Sequence, residues 1–159
     1  YIVIAMTNQQ ETSTAIPCHE HLGYWVGSLS SAIFKGAAEK LQPLGVTPSQ
    51  YAILEAAFDG NANTLTGLAR IIPIDSAAIS RQLDKLTANG LVRRRRLRSD
   101  RRTVRIDLTE SGRDLFPKLA PLIQANNARF LSGITPDEQA SFAVIINKML
   151  QNVGSAEEP

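Results

Sequence analysis

A chain of 159 residues, 43% hydrophobic and 20% charged, is long enough for one domain with a real core, and its composition is that of a soluble globular protein. No apolar run approaches the roughly 20 residues that a membrane helix needs, and the single cysteine, Cys18, excludes an intrachain disulfide framework and fits a reducing cytoplasm. The net charge is only +2, yet residues 91–108 hold eight of the 17 basic residues, so the positive charge is a patch, and a patch implies a binding face.

In chain order, residues 1–17 read as a flexible arm, polar from residue 7 and without a usable period. Its apolar opening is too short for a signal peptide, and Met6 reads as the native start behind a five-residue extension. A first helix is expected from Cys18 to Gln42, with Leu22, Trp25, Val26, Leu29, Ile33 and Leu41 at helical spacing, ended by Pro43 and Gly45. Thr47-Pro48 opens a second, with Tyr51, Leu54, Ala57 and Phe58 turned inward and Asp59-Gly60-Asn61 as its stop. A short third helix runs from Thr64 to about Ile72, packing Leu65, Leu68, Ala69 and Ile72.

Asp75 then caps a fourth helix beginning at Ser76, with Ile79, Leu83 and Leu86 on one face. The third and fourth helices, joined by a short turn, form a helix-turn-helix. Asn89-Gly90 ends the fourth, and strands Leu91–Leu97 and Thr103–Leu108 flank the polar tip Arg98-Ser99-Asp100-Arg101-Arg102, making a β-wing. A fifth helix should follow Thr109-Glu110-Ser111-Gly112 to about Leu131, with bends expected at Pro117 and Pro121. A sixth starts at the capping sequence Thr135-Pro136-Asp137-Glu138 and carries the stripe Phe142, Ile145, Ile146, Met149, Leu150 and Val153. Residues 155–159 form an acidic tail. The fold class is mainly α with a small antiparallel wing (α+β). The single domain over 18–154 divides into dimerisation helices (18–45 and 112–154) around a DNA-binding lobe (46–111). Because the terminal stripes lie outside the compact unit, they call for a second copy of the chain, hence a two-fold dimer.

An α-helix fits the major groove of B-DNA, about 12 Å wide, with its N-terminal side chains at base edges. On the outer side of the fourth helix stand Ala77, Ala78, Ser80, Arg81 and Lys85. Arg81 is suited to guanine and Gln82 to adenine, while the alanines permit close approach. Thr64, Thr66 and Ser76 offer hydroxyls for phosphates, and the wing tip suits the minor groove, with Arg101 and Arg102 as the candidates for insertion and Asp100 orienting one of them. Arg93 to Arg98 alternate in a strand, so only about half of those arginines can face phosphates together.

Each sharp reading has a plainer rival. An arginine run is usually a solvated face, but this one adjoins a helix-turn-helix and is opposed only by Asp100 and Asp107. Arg81 could pair with Asp84 or Asp114 instead of a base. Cys18-His19-Glu20-His21 contains metal-ligand residue types without a second cluster to complete a site, so no metal or cofactor is expected. Tyr24, Trp25, Phe34 and Tyr51 are candidates for an effector pocket, although aromatic stripes more often form core. No nucleophile-base or paired-carboxylate arrangement points to an enzyme. The alternatives to a regulator are a winged-helix module docking an acidic protein and an unregulated architectural DNA binder.

The sequence Ala78-Ile79-Ser80-Arg81, then Leu86, then Gly90-Leu91-Val92, then Asp100-Arg101-Arg102, and then Thr109 with Gly112 resembles the motif of the MarR family of bacterial transcriptional regulators. The helix order extends the resemblance from Leu22 to about Val153. It implies a winged-helix homodimer in the bacterial cytoplasm, acting at the nucleoid on a palindromic operator in double-stranded DNA, with Arg102 and Asp100 as the minor-groove pair. It also implies a repressor released by a small aromatic ligand.

Overall fold

A computed structural model of the protein describes residues 20–60, 62–96 and 104–154. The expected arm, Cys18, His19, Asn61, the wing tip from Leu97 to Thr103 and the tail fall outside these residues. The helices are α1 (Leu22–Leu41), α2 (Pro48–Asp59), α3 (Leu65–Ile71), α4 (Ser76–Ala88), α5 (Glu110–Phe130) and α6 (Pro136–Gly154), with strands β1 (Val92–Arg96) and β2 (Val104–Leu108) between α4 and α5. The chain divides within α1 into two units, between Ala32 and Ile33. In the first, the apolar side chains Leu22, Tyr24, Trp25, Val26 and Leu29 of α1 are all exposed.

In the second unit, local chemistry sets the element ends. The Thr47 hydroxyl accepts from the backbone N–H of Gln50 at 3.3 Å, while the Gln50 side chain accepts from the Thr47 N–H at 3.0 Å, a reciprocal capping box that starts α2 at Pro48. Thr64 accepts from Gly67 N–H to start α3, and Asp75 accepts from Ala78 N–H at 2.7 Å to start α4. Gly45, Gly60 and Gly90 turn the chain with φ near +70°, at 70°, 73° and 70°. Helix α5 continues through Pro117 and Pro121, both on its exposed side.

The core gathers Leu54 of α2, Leu68 of α3, Ile79, Leu83 and Leu86 of α4, Val92, Ile106 and Leu108 of the wing, and Phe116 and Leu119 of α5. Ile53 and Ala56 join it, whereas Phe58, expected inside, is 43% exposed and packs only one ring face, stacked on Phe116 at 4.4 Å between centroids. Leu65, expected on the packed face of α3, is likewise exposed. The two strands pair antiparallel, Val92 opposite Leu108 and Arg96 opposite Val104. The segment before α3 adds to this wing: Ile106 N–H donates to the Asn63 carbonyl at 2.7 Å, and Thr64 bridges Arg105.

Thr109 joins the wing to α5. Its hydroxyl donates to the Gly90 carbonyl at 2.6 Å and accepts from Gly112 N–H at 3.1 Å, which caps α5 and ties it to the turn after α4. Only glycine fits at 112, because a Cβ there would run into the Leu91 carbonyl oxygen. Deeper along α5, fully buried Asn126 donates to the Ile33 carbonyl at 3.2 Å, holding α5 against the C-terminal part of α1.

Candidate nucleic-acid interface

Helix α4 presents a polar outer side, and the reason is the helical period. With Ile79, Leu83 and Leu86 buried to 2% exposure or less, the opposite side of α4 must carry Ala77, Arg81, Asp84 and Lys85, which are all exposed. Ala78 and Ser80 flank this side and are half-buried, and Ser76 is exposed at the first position of the helix. Gln82 is placed differently from the adenine reader expected of it. It borders the packed face, half-buried, and its side-chain oxygen is enclosed without a hydrogen-bond partner. Thr64 spends its hydroxyl on the α3 cap, while Thr66 is exposed.

The arginines of the wing separate by register. Arg93 and Arg95 share one face of the strand with Arg105 and Asp107; Arg94 shares the other with buried Val92 and Ile106. On the first face Arg105 Nε donates to Asp107 Oδ1 at 2.9 Å. Arg95 Nε lies 3.4 Å from Oδ2, close enough for charge attraction though without hydrogen-bond geometry, so that oxygen is enclosed yet unbonded. Three guanidinium groups against one carboxylate leave this face net positive.

Arg94 on the other face does not point to solvent alone. Its Nη2 lies 2.8 Å from Asp84 Oδ1 and donates to the Ser80 carbonyl at 3.3 Å, both on α4. Asp84 is therefore engaged by Arg94, and not by Arg81 as the plainer reading of the sequence allowed. This contact was missed because it depends on strand register, which no local pattern reveals. Arg98, Asp100, Arg101 and Arg102, expected at the wing tip, lie outside the described residues.

The aromatic residues named as a pocket are not alike. Tyr24, Trp25 and Phe34 are exposed, whereas Tyr51 is 7% exposed, stacked on Phe116 at 5.8 Å, and donates its hydroxyl to Glu55 at 2.7 Å. Burial above all, then the Glu55 contact, pushes the Tyr51 hydroxyl well above its ordinary pKa. Tyr51 is thus a core residue, in keeping with its inward place on the second helix and with the plainer reading of the aromatic stripe. Among the described residues no group of histidine, cysteine and carboxylate side chains could hold a metal ion, and no helix is long and apolar enough to cross a membrane.

Residues 46–104 match the model of the MarR family, over the segment that builds α2, α3, α4 and the start of β2. Over that segment the chain is similar to the MarR family of regulators. Along its length it is 26% identical to YkoM of Bacillus subtilis (strain 168), described as an HTH-type transcriptional regulator, over 89% of each chain. Its fold matches BpsR of Bordetella bronchiseptica, whose DNA binding is regulated by 6-hydroxynicotinic acid, with a TM-score of 0.78 at 22% identity, covering 86% of this chain and 97% of that one. A mutant MarR from E. coli complexed with operator DNA matches with a TM-score of 0.74 at 26% identity, covering 81% and 93%. The mostly helical architecture with its two-stranded wing is the winged-helix fold of MarR regulators.

Proposed function

We propose that this chain is a sequence-specific transcriptional repressor of the MarR family that binds a palindromic operator as a homodimer and is released by a small aromatic ligand. The observation that carries the DNA reading is the outer side of α4. Ala77 and Arg81 stand exposed on a helix whose opposite face is sealed in the core, beside a two-stranded wing whose Arg93, Arg95 and Arg105 outnumber the single Asp107. Small residues let the helix approach the groove floor, and Arg81 is free to take a guanine edge. Lys85, Ser76, Thr66 and the wing arginines supply phosphate contacts around it. The wing-tip residues Arg98, Asp100, Arg101 and Arg102 belong to the same proposal as minor-groove contacts.

The homodimer rests on α6. Phe142, Ile145, Leu150 and Val153 are exposed by 50 to 65%, along one helix. Such a stripe finds cover most simply in a second copy. The effector is supported by the exposed aromatic rings of Tyr24, Trp25 and Phe34 and by the small aromatic acid that regulates BpsR.

The test is binding to duplex DNA across a salt series. Log affinity should fall linearly with log salt, with a slope of about −0.9 per neutralised phosphate. Binding indifferent to salt, or equally tight to an acidic protein surface, would favour the interaction-module reading. For the effector, a thermal-shift screen of aromatic acids on free protein should stabilise it and lower DNA affinity together; stabilisation without loss of DNA binding would remove the regulatory step.

A further inference from the structure

Resting on the DNA-reading assignment above, we infer that Arg94 and Asp84 are a clamp that sets the angle between α4 and the wing, so that both are specificity-determining positioning residues although neither reads a base. The seam between these two elements is not filled by side chains. An open cavity of about 140 Å³ lies there, lined by Leu65, Ser80, Leu83, Arg94, Val104 and Ile106. Where packing is tight, interlocked side chains fix the angle between elements; here that constraint is weakened.

Arg94 spans the gap. It leaves β1 on the inward register, beside Val92, and its Nη2 meets the Ser80 carbonyl at 3.3 Å and Asp84 Oδ1 at 2.8 Å. The two acceptors stand four residues apart, one turn up the same side of the helix, so the two hydrogens of one nitrogen grip α4 at two levels. An arginine held this way is withdrawn from the phosphate-facing set. Asp84, in turn, is 63% exposed on the very side of α4 that would face DNA, where an unpaired carboxylate would repel phosphates. Its presence there is explained by what it holds.

Two readings of Arg94 therefore predict opposite signs for one substitution. If Arg94 were simply a phosphate contact, Asp84→Asn would remove a negative charge near DNA and leave affinity unchanged or raise it. In a clamp, Asp84→Asn releases the wing and lowers affinity for the preferred sequence, by about fivefold at the upper end of what an exposed pair sustains. Affinity for scrambled DNA should hold or rise.

The experiment uses the full chain and a duplex enriched from a random-sequence pool by the wild-type protein, compared with a scrambled duplex. Asp84→Asn, Arg94→Gln and the double variant are measured against wild type, with thermal unfolding on the same samples, which should move by only about a few degrees because the pair is exposed. The clamp requires the double variant to be no worse than Arg94→Gln alone, since each single change already breaks the contact. Arg94→Lys, which keeps the charge but loses the planar fork, should recover less than half of the Arg94→Gln loss. Selected-duplex affinity for Asp84→Asn equal to or above wild type, or full recovery with Arg94→Lys, overturns the clamp. A wild-type protein that enriches no sequence overturns the DNA-reading assignment itself, and the clamp with it.

Discussion

Helices α4 and α6 are built alike and end up in opposite circumstances. Each opens on a side-chain cap, Asp75 for α4 and Thr135 with Glu138 for α6, and each carries an apolar stripe at helical spacing. Within the chain Ile79, Leu83 and Leu86 of α4 are buried to 2% or less, while Phe142 and Ile145 of α6 are 55% and 50% exposed and Leu150 and Val153 65%. The difference teaches that a 3.6-residue period announces a face that needs cover but not who supplies it. For α4 the cover is the lobe itself, which leaves its polar side to face outward. For α6 the cover is assigned to a second protomer.

The comparison can be broken most decisively at α6. Leu150→Glu together with Val153→Glu should convert the dimer to single protomers by sedimentation, while circular dichroism still reports the helices of the reading lobe; a wild type that sediments as one protomer would end the contrast. Next in size is the core side of α4. Leu83→Ala should lower unfolding free energy by about 2–5 kcal/mol in a denaturant titration, because the deletion removes a buried side chain and enlarges the void beside it; a loss under about 1 kcal/mol would mean that Leu83 is not part of the core of this unit. The α4 cap should matter less: Asp75→Ala is expected to cost about 1 kcal/mol by the same titration.

Smallest is the pH response of the α6 cap. The Thr135 backbone N–H, bonded at 2.8 Å, and then the Thr135 hydroxyl hold the Glu138 carboxyl below its ordinary pKa. A lowered folded-state pKa means that the cap stabilises α6 when Glu138 is ionised, above its unfolded pKa, and the contribution is lost as pH falls through the lowered folded value. The protection factor of the Thr135 amide should therefore fall in acid, and Glu138→Gln should flatten that dependence. An unchanged acid response in Glu138→Gln would assign it elsewhere.

Much of the fold was legible because its signals are local. Thr47-Pro48, Thr64, Asp75, Thr109 and Thr135 each place a cap within three residues of the amide they serve, so helix starts could be read from spacing alone. The outer side of α4 followed from the same period. What escaped reading is long-range. The pairing of Asn63 with Ile106, the Asn126 bond to the Ile33 carbonyl and the Arg94 grip on α4 join residues from 10 to 93 positions apart, and their register is set only when the elements meet. The half-buried place of Gln82 escaped for a related reason: a polar atom at the end of a side chain does not reveal whether its stem lies in the core. The arginine run also changed meaning once folded, since alternation along β1 sends Arg94 to the helix and leaves Arg93 and Arg95 on the charged face.

The central claim, that two copies present α4 and the wing to one duplex, is tested most directly by enriching bound sequences from a random duplex pool. The expected consensus is an inverted repeat whose half-sites are centred about 10 bp apart, one turn of B-DNA. An asymmetric consensus, or enrichment of no sequence at all, would contradict it.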